Sequence, residues 1–186
     1  DDVCRGLLAK AEWSAPTLRD TYSHPVLLKC GGVIDKPGYD EDSGLFLDLD
    51  ERIAAIPQTV SREAAATASA LLHELLEDFP FDTDVDRSVA LAAIMTPICR
   101  PTYSGCTPMP LFDSPTPGSG KSLLADVVSI IATGSPAGRM HQSNDEEMRK
   151  RITSLLREGQ RIVLIDNVSR PLGGAAIDAV LTSEWW

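Results

Sequence analysis

Eight consecutive residues, Pro115-Thr116-Pro117-Gly118-Ser119-Gly120-Lys121-Ser122, have the types and spacing to hold a phosphate group. They satisfy the last three positions of the pattern G-x-x-x-x-G-K-[ST], with Pro115 standing where the first glycine belongs. Gly118 and Gly120 can take positive φ, so successive N–H groups can point into one concavity. A helix starting near Lys121 would aim its positive end at the same anion. The Lys121 ammonium can reach β- and γ-phosphates, and the Ser122 hydroxyl can ligate Mg²⁺. Pro115 has φ locked near about −65° and no N–H to give. The first position of the pattern supplies geometry more than a phosphate contact, so the loop chemistry survives the change.

A bare G-K-[ST] arises by chance in about one chain in ten of this length at average composition, so a second signal has to decide. Ile162-Val163-Leu164-Ile165-Asp166 is that signal: four apolar residues ending in an acid, 45 residues after Lys121. Such a run reads as a buried strand that delivers a carboxylate beside the phosphate loop, binding Mg²⁺ directly or through water. The intervening length holds a helix, a short strand and a second helix. The competing reading is a Gly/Pro surface turn plus an ordinary core strand ending in a solvated Asp. Together the two signals favour nucleotide binding. Pro117, Gly118, Ser119, Gly120, Lys121 and Ser122 would then hold the phosphates, and Ser122 and Asp166 the metal.

These residues resemble a family. Thr116-Pro117-Gly118-Ser119-Gly120-Lys121-Ser122 is similar to the P-P-G-T-G-K-T loop of AAA+ ATPases. More narrowly, three segments resemble the ATPase module of primase/helicase-type replication proteins encoded by bacteriophages and integrated mobile elements. They are Pro115 to Gly134, Asp145-Glu146-Glu147-Met148-Arg149-Lys150-Arg151-Ile152 and Ile165-Asp166-Asn167-Val168. Pro37-Gly38-Tyr39-Asp40 with Gly44-Leu45 is similar to the segment that precedes that module, so the resemblance spans roughly residues 25–186. It implies ATP and Mg²⁺ as cofactors. It also implies DNA and a ring of identical subunits as partners of the complete protein, and an AAA+-like parallel-sheet core. The later strands of that core, with its sensor residue, arginine finger and lid, would follow Trp186. By the same resemblance His141 to Asp145 occupies the place of a pore-lining loop.

One position departs from the family. AAA+ enzymes commonly place Glu after the strand-end Asp to activate water, and Asn167 stands there. An amide can hydrogen-bond a water but cannot take its proton. Glu146 and Glu147 are the nearest alternative carboxylates in this reading. Besides a helicase-type ATPase using Lys121, Asp166 and Asn167, two readings therefore stay open. One is a nucleotide-binding regulatory or structural module without turnover. The other is a P-loop phosphotransferase, which needs an acceptor pocket and an Arg-rich lid.

The elements that must position these groups are legible in part. Residues 1–60 read as a small β-rich module, 61–106 as a helical hairpin and 107–186 as the P-loop α/β core. Within the first, a short helix around Val3–Trp13 is followed by two or three strands at Val26–Lys29, Val33-Ile34 and Gly44–Asp48, with Pro37–Asp40 as a turn. Ser61 caps a helix running to about Asp78, whose stripe is Ala68, Leu71, Leu72, Leu75, Leu76 and Phe79, with His73 packed in the core beside it. Thr83 and Asp86 form a capping box for a second helix with face Val85, Val89, Ala92 and Ala93, ending near Thr96-Pro97. The core reads as a strand at Pro110–Phe112, a helix from Leu123 to Thr133 stopped by Gly134 and a strand at Arg139–His141. A helix follows, capped at Ser143–Glu146 with stripe Met148, Ile152, Leu155 and Leu156. The buried strand Arg161–Ile165 and a last helix from Gly173 complete it. Alternating strands and helices argue for a parallel sheet.

Composition sets the outer limits. At 43% hydrophobic and 24% charged, the 186 residues rule out a collagen-like, a wholly disordered or a disulfide-dense chain. No apolar run reaches the roughly 18 residues of a membrane span. Asp1-Asp2-Val3-Cys4 shows no signal peptide and lacks an initiator Met, which suggests a piece of a longer cytoplasmic polypeptide. Cys4, Cys30, Cys99 and Cys106 contain no C-x-x-C pair, and His24, His73 and His141 do not complete a zinc set. Residues 1–60 and 61–113 each carry a net charge of −5, whereas 114–186 is neutral. The acidic front is a poor match for a DNA backbone. Arg149, Lys150, Arg151, Arg157 and Arg161 cluster further on, but Asp145, Glu146 and Glu147 beside them favour a solvated helix face.

Overall fold

The computed structural model describes residues 9, 16–51, 53, 54, 56, 57, 59–183 and 186. The helix expected around Val3–Trp13 lies outside the described residues apart from Ala9, as does Cys4. The chain is mixed α/β with small sheets, one of them purely parallel. Among the described residues no helix is long and apolar enough to cross a membrane.

Five short strands make up the first module: β1 (Asp20–Tyr22), β2 (Val26–Leu27), β3 (Val33–Ile34), β4 (Gly38–Asp40) and β5 (Leu45–Leu47). β5 sits between β1, which runs parallel to it, and β4, which runs antiparallel, while β2 and β3 pair as a separate hairpin. The expectation of two or three strands missed β1 and β4. Gly38-Tyr39-Asp40, expected as a turn, is a strand because a tight reversal lets it pair with β5. Asp40 makes that reversal by accepting from the Ser43 amide at 2.9 Å and the Ser43 hydroxyl at 2.5 Å.

Helix α1 (Arg62–Leu75) starts where Ser61 Oγ accepts the Ala64 amide, and it stops three residues short of the expected Asp78. Its stripe is a core face only in part: Leu76 belongs to a core cluster, and Leu72 and Phe79 pack against it. No residue of α1 is buried, Leu71 and Leu75 are more than half exposed, and only Leu76, just past the end, is fully buried. His73, expected in the core, is exposed.

Helix α2 (Asp84–Cys99) opens with the Thr83/Asp86 capping box and runs through Pro97 instead of ending there. Pro97 forfeits one bond in the last turn, and the Thr96 hydroxyl donates to the Ala92 carbonyl beside it. The buried face is Ala90, Ala93 and Ile94; Val85 and Val89, expected inside, are exposed. The partner explains this. α2 packs on α3 (Lys121–Thr133), and Leu124 and Val128 of α3 close a cluster with Leu76, Ala90, Ala93 and Ile94.

A second cluster, Met140, Met148, Ile152, Ala176 and Ile177, holds the last third. It joins β6 (Gly138–His141), α4 (Asp145–Arg157), β7 (Val163–Asp166) and α5 (Ala175–Thr182). β6 and β7 pair in parallel with α4 as the connection, as a parallel crossover requires. Three expectations are corrected here. Pro110–Phe112 forms no ladder, β7 is half-buried along its length, and α4 is capped by Asn144, whose Oδ1 accepts the Glu147 amide at 3.0 Å. The Ser143 hydroxyl lies instead 3.5 Å from the His141 carbonyl.

Arg161, just before β7, ties the first module to this unit. Its guanidinium donates to both Asp20 carboxylate oxygens at 2.9 and 3.1 Å and to the Thr21 carbonyl, and it lies 3.7 Å from the Tyr22 ring centre. Tyr22 in turn meets His24 edge-to-face. Burial lowers the His24 pKa below its ordinary 6.5; the Pro25 carbonyl and Asp20 oppose the shift, and Arg161 adds to it. Nδ1 faces the Pro25 carbonyl, which only accepts, so Nδ1 carries the proton and the buried, unpartnered Nε2 is bare. Protonation therefore favours the unfolded chain. The sign is fixed: this contribution is complete above about pH 6.5 and is lost as the pH falls through the lowered folded value. Unfolding free energies from urea titrations between pH 7.5 and 5.5 should fall for the wild type, by no more than about 1.4 kcal/mol per pH unit for one proton. For His24→Gln they should be flatter. Parallel slopes for the two proteins would remove His24 from the account.

Candidate phosphate loop and strand-end carboxylate

Residues 115–120 form a bent segment with one turn at 117–118 that leads into α3. Gly118 and Gly120 both adopt left-handed backbone, at φ 75° and 87°. Gly120 occupies the N-cap of α3 with no side-chain capping bond, so the first amides of the helix are not satisfied by a cap. Uncapped amides at a helix N-terminus carry its positive end. The Lys121 side chain folds back over the loop, its Nζ 3.4 Å from both the Ser114 carbonyl and the Ser119 hydroxyl. These long contacts span the loop and leave the ammonium weakly held. Pro115, Thr116 and Pro117 are exposed at its rim.

Phe79, in the turn after α1, supports the loop from below. A Cβ placed on Gly120 would lie 3.3 Å from its ring, so the aromatic edge already touches the glycine. Phe79 also packs against the cluster shared by α2 and α3. The α1–α2 turn thus forms one wall of the loop.

Asp166 ends β7, opposite His141 in the parallel register. Its Oδ1 accepts the Asn167 amide at 2.9 Å, and its Oδ2 lies 3.4 Å from Arg139 Nη1 on β6. The other amino group of Arg139 reaches Asp126 Oδ2 on α3 at 2.5 Å. Asp126 stands four residues after Ser122 and so shares its helix face. One guanidinium therefore joins the strand-end carboxylate to the helix that starts at the loop, and α3 and β7 are in contact. Neither Asp126 nor Arg139 was singled out from the sequence. The spacing of Asp126 from Ser122 was a signal that could have been used, whereas the reach of Arg139 depends on strand register.

Asn167 has φ 54°, the one non-glycine residue with positive φ among the described residues. Asn tolerates this backbone, whereas a Glu would carry a cost of about 1–2 kcal/mol. The chain geometry thus disfavours the Glu that the family resemblance calls for at this position.

The remaining expected candidates scatter. Glu146 and Glu147 pair with Lys150 at 2.7 Å and Arg151 at 2.9 Å along α4, and Arg161 is engaged by Asp20. Three of the five basic residues are thereby neutralised locally. Arg149 lies over the Trp186 ring. Gln142, between His141 and Asp145, accepts the Arg170 amide and donates to the Arg170 and Pro171 carbonyls, clamping the loops after β6 and β7 together.

The expected ligands Ser122 and Asp166 would offer oxygen atoms, which suit a hard cation. Among the described residues no cluster of three or more His, Cys, Asp or Glu is present. A Mg²⁺ held here would take its other positions from phosphate and water, as that ion commonly does. Comparison with known protein families, curated proteins and solved structures finds no match to this chain.

Proposed function

We propose that the chain binds Mg²⁺-ATP, with Pro117, Gly118, Ser119, Gly120, Lys121 and Ser122 holding the phosphates and Ser122 and Asp166 holding the metal. In this reading it is the ATP-binding module of a DNA replication protein of helicase/primase type, working in an oligomeric ring on DNA. The observation that carries the site is the Arg139 bridge, which links Asp166 to Asp126, one helical turn from Ser122. The bridge supports the reading because it ties the strand-end acid to the helix that begins at the glycine loop.

Within that site the chain's own groups divide the work. The left-handed glycines would let amides turn toward the phosphates, the α3 terminus would supply a fixed positive end, and Lys121 would add a cation. Mg²⁺, when bound, would neutralise the phosphate charge that develops during transfer. Asn167 favours a second reading, a nucleotide-binding module with little turnover, because its amide cannot accept a proton from water.

Titration with a fluorescent ATP analogue in Mg²⁺ and in EDTA tests the assignment. Asp166→Asn should weaken binding in Mg²⁺ far more than in EDTA. An equal response in the two conditions would make Asp166 a structural residue.

A further inference from the structure

Arg139 carries more than a structural contact. It lies on the solvent side of β6, whose side chains alternate buried and exposed, and it spends its charge on two carboxylates from different elements. The contacts are unequal. The Asp126 pair is short, at 2.5 Å, and Asp126 is only 18% exposed; the Asp166 contact is long, at 3.4 Å. The second oxygen of Asp126, Oδ1, is buried without a hydrogen-bond partner among the described residues. Arg139 is therefore anchored on Asp126 and leans on Asp166. A guanidinium is well suited to this, because its fork presents two amino groups in fixed geometry and stays charged.

We propose that Arg139 is a positioning residue for the metal-binding carboxylate. Anchored by Asp126, it neutralises Asp166 while no metal is bound and yields the Oδ2 oxygen when a divalent cation arrives with the nucleotide. This inference rests on the proposed nucleotide site, and its consequences have definite signs. Without Arg139, two neighbouring carboxylates face the phosphates unneutralised, so binding in EDTA weakens. The metal no longer competes with a guanidinium, so binding in Mg²⁺ is spared or improved. Both effects move the ratio of the two dissociation constants the same way.

The test measures ATP-analogue affinity in EDTA and in Mg²⁺ for wild type, Arg139→Gln, Arg139→Lys and Asp126→Asn. The EDTA-to-Mg²⁺ ratio of Kd should rise by about three- to tenfold for Arg139→Gln. It should rise less for Arg139→Lys, which keeps the charge without the fork. It should fall for Asp126→Asn, which frees Arg139 to pair fully with Asp166. A merely structural role would shift both affinities together and leave every ratio unchanged, which would overturn the proposal.

A second measurement needs no nucleotide. Mn²⁺ alone, followed by electron paramagnetic resonance, should bind Arg139→Gln several-fold more tightly than wild type. The gain should vanish when Asp166→Asn is added. Unchanged Mn²⁺ affinity in Arg139→Gln would sink the role of Arg139 even if ATP binds as proposed. A gain in Mn²⁺ affinity without any ATP binding would keep that role and refute the nucleotide site.

Discussion

Replacing Lys121 with Ala is expected to weaken ATP binding by about 10–150-fold, the loss of one charge-assisted contact of roughly 1.5–3 kcal/mol. The free protein should hardly notice the change. Among the described residues the Lys121 ammonium hydrogen-bonds the Ser114 carbonyl and the Ser119 hydroxyl, both at 3.4 Å, the far limit for such a bond. Urea stability of the variant should therefore fall by no more than about 1 kcal/mol, as for a half-buried side chain with only weak bonds to lose. The divergence between a large binding loss and a small stability loss is the signature of a residue waiting for an anion. Equal affinity of mutant and wild type for the nucleotide would falsify the phosphate loop.

Substituting Gly120 by Ala should damage both properties at once. The residue sits at φ 87°, where an added Cβ carries a cost of about 1–2 kcal/mol, and that Cβ would press on Phe79 at 3.3 Å. For a chain of this size that corresponds to a Tm lower by about 2–8 °C. The loop would shift to relieve the strain, turning its amides away from the phosphates, so affinity should drop more than tenfold, or about 1.4 kcal/mol. Gly134→Ala is the matching control. Gly134 has φ 78° at the far end of the same helix, and a Cβ added there would meet nothing within 4 Å. It should lose comparable stability and keep its nucleotide affinity. Loss of affinity in both variants would trace the effect to α3 as a whole and remove the special role of the loop.

What could be read from the sequence follows the range of the forces involved. Ser61, the Thr83/Asp86 box, Gly134 and the two loop glycines act within a few residues of themselves, so their identities were sufficient. The faces of α1 and α2 were not. Val85, Val89, Ala90, Leu91, Ala92, Ala93, Ile94 and Met95 surround most of α2, so periodicity had little to choose between, and contact with α3 made the choice. β1 and β4 are three residues each and include Asp, Gly and Tyr; pairing with β5 makes them strands. For the candidate site, the loop and Asp166 were visible as local patterns. The bridge between them was not, because Arg139 becomes relevant only when β6 and β7 align.

The Asp20–Arg161 contact has a consequence for how the protein is made. Its two ends are 141 residues apart in the chain. A closure over that separation costs entropy that only later contacts repay, so docking of the first module belongs late in folding. On a ribosome adding about 5–20 residues per second, Asp20 emerges roughly 7–28 s before its partner. Through that interval Tyr22 and Asp20 lack the cation that covers them, and β1 offers a bare edge to any other nascent chain.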